Sequence, residues 1–321
     1  MCNLPELRAP GDGMLPIVLQ MFALVRDLAA RRKVTEISIT PRVVQRHLLA
    51  PLTCMAGVSA FRPDLARTSV AWAALVRALP DVIRELQGGG IRVAPIKGVS
   101  YATGLYGIPA ERPMTDVDLL VAPSDVKASM RTLTRLGFLR EPSPRRHHAT
   151  TWVRGGLVLD LHANILAEGR NSIDLDAVWN RVRPGWPDGA WRLDPVDELV
   201  FHWIHMARNR LCGPLIQVVD SARLVERVGA AGVAAAFTRA RAWKVDRIVQ
   251  AAAEFSTYVC DGDRAPRWWS LRVPAIANVI EVRQPGLVGK VLFDLATTTT
   301  PGQLIARARE LAARLRGSAE R

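Results

Sequence analysis

A chain of 321 residues, 49% hydrophobic and 23% charged, is long enough for a large buried core and for two or three domains, and its nine Trp and seven Phe argue against disorder. The formal net charge of +13, with a pI near 10.6, favours anionic partners: nucleotides, phosphorylated substrates, nucleic acid or an anionic surface. No apolar run reaches the ~18–20 residues of a membrane span, and the N-terminus lacks a basic stretch followed by an apolar core, so a cytoplasmic, membrane-free protein is expected. Cys2, Cys54, Cys212 and Cys260 are widely separated and form no CxxC pair, which fits reduced thiols.

Residues 1–13 are rich in Pro and Gly and read as irregular. Helical spacing follows over 15–30, where Ile17, Val18, Met21, Leu24, Val25 and Leu28 recur on one face. Thr40-Pro41 reads as a helix start, with apolar residues continuing to Leu49. A longer helix is predicted over 69–87 and is stopped by Gly88-Gly89-Gly90. The period then changes. Ile91–Ile96 reads as a strand, 99–106 as a short helix and Asp116–Val121 as a second strand. Pro123-Ser124-Asp125 opens a helix that ends at Gly137, and 148–165 reads as a hairpin turning at Gly155-Gly156.

Beyond the hairpin, Asp194-Pro195 starts a helix running to about Arg210. Further helices are predicted over 214–228, 230–243, 245–259, 275–283 and 302–316, with a loop at Arg264–Trp269 and a frayed end from Arg314. The fold class is therefore α+β. It divides into an N-terminal helical lobe (1–89), an α/β core (90–166) and a C-terminal helical lobe (167–321).

Three carboxylates carry the candidate chemistry. Residues i and i+2 of a strand share a face, so Asp116 and Asp118 are expected to point together while Val117 and Leu119 point to the core. Like charges at that spacing are costly unless a cation lies between them. Asp160 is an acid inside the hydrophobic run Leu157–His162, where burial needs a partner. If its strand lies beside the first, all three carboxylates can share one or two Mg²⁺ ions, which prefer oxygen ligands and substrate phosphates. Lys97-Gly98 follows the first predicted strand, where helix amides and a lysine can hold phosphate, and Arg112 could grip the same anion with its fork.

Ile96-Lys97-Gly98, Arg112–Val121 with its Thr-Asp-Val-Asp centre, and Asp160-Leu161-His162 together resemble the uncharacterised bacterial nucleotidyltransferase family of the polymerase-β-like superfamily. The resemblance extends through Phe201–Ala207 to Asp220 and covers roughly residues 40–300. It implies a nucleotidyltransferase-like mixed-sheet core flanked by helical lobes, with Asp116, Asp118 and Asp160 as metal-binding and catalytic residues. Lys97, Gly98, Arg112 and Thr115 would then bind the nucleotide. The implied reaction is Mg²⁺-dependent transfer of a nucleoside monophosphate from an NTP, ATP among the candidates, with release of pyrophosphate. The implied acceptor is a hydroxyl or phosphate on a small molecule or peptide. Lys97-Gly98 stands where the wider superfamily carries Gly-Ser or Gly-Gly, so nucleotide and acceptor preference do not transfer from better-known branches.

His148, His162 and His205 are the remaining candidates, as supports of the carboxylates or contacts to the acceptor. His202, His205 and Cys212 offer a zinc reading that lacks a fourth ligand. Asp220, on an apolar helix, is expected to orient Arg208 or Arg210. A P-loop, a dinucleotide-binding glycine pattern and a serine nucleophile elbow are all absent. The alternative function is a basic nucleic-acid-binding regulator on an inactive nucleotidyltransferase fold. A third is a helical interaction module with the α/β unit as a peptide-binding surface.

Overall fold

The computed structural model describes residues 14–142, 149–166, 172–262, 276–283, 290–291, 293–294, 297–303 and 305. The expectations for 1–13, Arg264–Trp269, 314–321 and most of 302–316 lie outside these residues, as does His148. Helices α1 (Met14–Ala29), α2 (Pro41–Arg46), α3 (Ala50–Met55) and α4 (Arg62–Gly88) open the chain. The predicted helix from Thr40 is thus split in two. Leu48 sits between the halves with φ 58°, outside the helical region. Helix α4 begins earlier than its apolar period suggested, because Pro63 fits the first turn of a helix.

The α/β unit runs β1 (Val93–Ile96), α5 (Gly98–Leu105), β2 (Val117–Val121), α6 (Val126–Arg135), β3 (Leu139–Arg140), β4 (Ala149–Arg154) and β5 (Leu157–His162). Its five strands form one mixed sheet in the order β1-β2-β5-β4-β3. Only β2 and β5 run parallel. The short β3 had no signal beyond two exposed residues and was not anticipated. Pro95 is tolerated in β1 because that strand is an edge. Gly155 and Gly156, at φ 55° and 84°, make the two-residue hairpin turn that only glycine adopts without strain.

Every side chain of β2 is buried, because both sheet faces are covered. Val117, Leu119 and Val121, with Leu159 and Leu161 of β5, pack against Leu75, Leu79, Val82, Ile83 and Leu86 of α4. The opposite face carries Ala94, Ile96 and Leu120 into a core shared with α1 and with helices from the C-terminal half. A short helix α7 (Leu175–Trp179) and a two-stranded ribbon β6 (Arg183–Pro184) and β7 (Trp191–Arg192) precede those helices. They are α8 (Pro195–Arg208), α9 (Ile216–Ala242), α10 (Asp246–Asp261) and α11 (Ile276–Glu281). Asp194 caps α8 by accepting from the Val196 amide, with Pro195 in the first turn. Gly229, at φ 65° and ψ 179°, breaks α9 where two separate helices were predicted. No described helix is long and apolar enough to cross a membrane.

Candidate active site

The alternation that buries β2 also builds the site. Asp118 projects from the face opposite Val117 and Leu119, and the parallel pairing sets it directly beside Asp160 of β5. Thr151, opposite Asp160 on β4, donates from Oγ1 to Asp160 Oδ1 at 2.6 Å. Asp116 lies one residue before β2 rather than within it. Its carboxylate accepts from Thr115 Oγ1 at 2.9 Å. All three acids line one cleft of about 250 Å³, whose other walls include Lys97, Gly98 and Tyr101 of the β1–α5 junction, His202, His205 and Arg208 of α8, and Gln217 of α9.

Asp118 is only 6% exposed. Its Oδ1 accepts from Lys97 Nζ at 2.5 Å and from His162 Nε2 at 2.6 Å. Burial alone would raise its pKa, but the lysine charge and the imidazole hydrogen bond prevail and hold it well below the usual carboxylate range. The imidazole of His162 is buried beside that lysine, which lowers its pKa and leaves the ring a neutral Nε2–H donor. Asp116 shifts the other way, raised by burial and by the neighbouring charge of Asp118. With Arg112 paired to Asp220, the three carboxylates of the cleft outnumber its described cations, Lys97 and Arg208, the electrostatic condition for binding a cation. Asp118, Asp160 and His162 place ligand atoms within 4.8 Å of one another, and carboxylate oxygens suit a hard divalent ion.

Lys97 holds φ 54°, ψ −124° at the entry to α5, a costly conformation for a residue with a side chain. It directs the ammonium to Asp118, so the lysine expected on phosphate is paired with a carboxylate. Gly98 lets the chain pack closely here: a Cβ would stand 3.2 Å from Met114 Cβ, tighter than ordinary van der Waals contact.

Arg112 differs more from expectation. Its Nε and Nη2 donate to Asp220 at 3.0 and 2.7 Å, and its Nη1 bonds the Pro113 carbonyl. Tyr106 donates its hydroxyl to the same carboxylate at 2.6 Å. The fork predicted to grip a triphosphate is thus engaged inside the protein, and Asp220 serves Arg112 rather than Arg208 or Arg210. Nothing local to either residue signals this pairing, since they lie 108 positions apart.

His205 faces the cleft, and its pKa falls well below the usual imidazole value through burial and through Lys97 and Arg208 nearby. His202 spends both ring nitrogens on Tyr101 Oη and the Gln217 carbonyl, which leaves it no nitrogen for zinc. Tyr101, Thr151 and Gln217 were not singled out from sequence, and Arg208 was named only as a partner for Asp220. For Arg208 a signal existed: it follows His205 by three positions and so shares its helix face.

Comparison with protein families matches residues 42–259, about two-thirds of the chain, to the model described as uncharacterised nucleotidyltransferase. A match of that extent on this α+β fold makes the protein a nucleotidyltransferase. In particular, the chain belongs to the uncharacterised nucleotidyltransferase family. No curated protein matches it. Among solved structures it is similar to the solution structure of the antibiotic-resistance factor ANT(2'')-Ia, at 11% identity and a TM-score of 0.40, over 53% of this chain and 92% of that one. A crystal structure of ANT(2'')-Ia in complex with adenylyl-2''-tobramycin is similar at 12% identity and a TM-score of 0.40, over 52% and 96% of the two chains.

Proposed function

We propose that the cleft transfers a nucleoside monophosphate from an NTP to a hydroxyl or phosphate on a small-molecule or peptide acceptor, with Mg²⁺ as cofactor. The observation that carries this reading is the side-by-side placement of Asp118 and Asp160 on parallel strands, with Asp116 at the same cleft. These three carboxylates would hold the metal. When bound, Mg²⁺ supplies positive charge to the triphosphate and to the departing pyrophosphate.

The chain's own groups account for the remaining work. His162 and Lys97 both bond Oδ1 of Asp118, which fixes the carboxylate at the cleft wall and leaves its other oxygen outside those two bonds. Thr151 fixes Asp160 in the same way. An acceptor oxygen attacks the α-phosphorus, the bond to the bridging oxygen of the β-phosphate breaks, and pyrophosphate leaves. The acceptor's proton passes to the Asp160 oxygen that Thr151 does not hold. Arg208 and the ammonium of Lys97, which has N–H donors beyond the one on Asp118, supply cations to the triphosphate, while Arg112 acts at a distance by tying the segment before β2 to α9.

Asp118→Asn tests the reading. Pyrophosphate release from each NTP with Mg²⁺ should fall by about a hundredfold or more, and chelation of the metal should abolish the wild-type rate. An unchanged rate in a variant with the wild-type circular dichroism spectrum would overturn it.

A further inference from the structure

Beside the carboxylate cleft lies a second hollow of about 120 Å³. The two share Arg112, Met114, Thr115 and Asp116 as a common wall, so Asp116 stands on the ridge between them. The character of the hollow is different. Trp72 and Leu75 of α4 form one side, and Leu157 and Val158 of β5 the other. The Trp72 ring rests on Trp186 with centroids 5.3 Å apart, which fixes it in place. The polar groups here are few and mostly engaged: Thr68 Oγ1 donates to the Asp64 carbonyl and Thr115 Oγ1 to Asp116. The one cation among the described residues of the wall, Arg112, is spent on Asp220.

We infer that this hollow seats an apolar group of the acceptor, about the size of one ring, carried next to the oxygen that is to be modified. The inference rests on the proposed transferase reading and adds a substrate class to it. A triphosphate is disfavoured here, because the hollow offers an acidic lip and, among the described residues, no cation beyond the paired Arg112. A nucleobase is disfavoured because its ring edge would leave water for hydrocarbon walls with little to bond. An apolar ring or branched chain loses nothing on entry. Aliphatic-lined cavities of about 150 Å³ are known to hold benzene, so this volume suits a single ring. With the ring in the hollow, a hydroxyl one or two bonds away lies at the Asp116 ridge and faces the cleft.

The test uses the full chain and two alcohols, 2-phenylethanol and ethylene glycol. Ligand-observed NMR should show 2-phenylethanol binding and ethylene glycol not. Ala71, exposed on α4 at the hollow's rim, permits a filling variant, Ala71→Trp, at a surface position. This substitution should weaken 2-phenylethanol binding by about tenfold or more. In turnover with NTP and Mg²⁺, it should raise the KM for that alcohol by a similar factor, with the NTP KM moving less than about twofold. Equal binding of the alcohol to both proteins would overturn the inference. So would a rise in the NTP KM, which would make the hollow a nucleobase seat. Because the binding arm needs no turnover, it reads the hollow even if Asp118→Asn shows the transferase reading to be wrong.

Discussion

Asp118 illustrates how one side chain is set by its neighbours. A buried carboxylate would ordinarily resist ionisation, yet Lys97 and His162 on its Oδ1 keep it charged. The Arg112–Asp220 pair is a second buried ion pair, and Tyr106 completes it. Removing one partner of such a pair strands the other charge away from water. Asp220→Ala should therefore lower unfolding stability by about 3–5 kcal/mol, measured as a shift in the urea midpoint. A change below about 1 kcal/mol would mean that Arg112 finds solvent. The thiols give an independent check on burial. Burial pushes the Cys212 thiol up to about 12 and the Cys260 thiol up to about 11. Both should therefore resist iodoacetamide in the native protein at mildly alkaline pH and react once the chain is unfolded, as peptide mass mapping would show.

At the scale of elements, the helix break at Gly229 is the most exposed to test. Its backbone, φ 65° and ψ 179°, lies in a region open essentially to glycine. Gly229→Ala should cost about 1–3 kcal/mol in chemical denaturation, whereas the same change at a regular helical position would stabilise. This break was legible because a glycine stands inside an otherwise helical period. The pairing of the Asp118 and Asp160 strands was legible only as a condition: an acid inside the run Leu157–His162 needs a partner, and the register that sets Asp118 beside it comes from the sheet. Other features carried no local signal. The ribbon β6–β7 consists of two residue pairs, too short for any period to register. The start of β2 at Val117, which leaves Asp116 outside the strand, depends on where the neighbouring strands end. Arg112 shows the same limit at longer range: a chain read in order displays its charge and hides the acid that meets it.

For the molecule as a whole, the net charge of +13 describes the surface, whereas pH sensitivity comes from inside. His162, His202 and His205 all have pKa values lowered from the ordinary 6.5, in each case chiefly by burial. Below 6.5 the unfolded chain takes up protons on these rings that the folded chain refuses. Their contribution is therefore complete above the ordinary value and is lost as the pH falls. Thermal unfolding followed from about pH 7.5 to about pH 5.5 should show a falling Tm, and a flat profile would contradict the burial of these rings.

The parallel register of β2 and β5 also bears on how the site comes into being. His162 and Asp118 meet across 44 positions of chain, and everything between them (α6, β3 and β4) must fold back before the two strands touch. Closing so long a loop is entropically slow, and nothing rewards it until the sheet zips. The acids of this cleft should therefore assemble among the last steps of folding. A nascent or partly unfolded chain would carry Asp116 and Asp118 without Asp160, so the metal proposed for this cleft would meet its full set of carboxylates only once the architecture is complete.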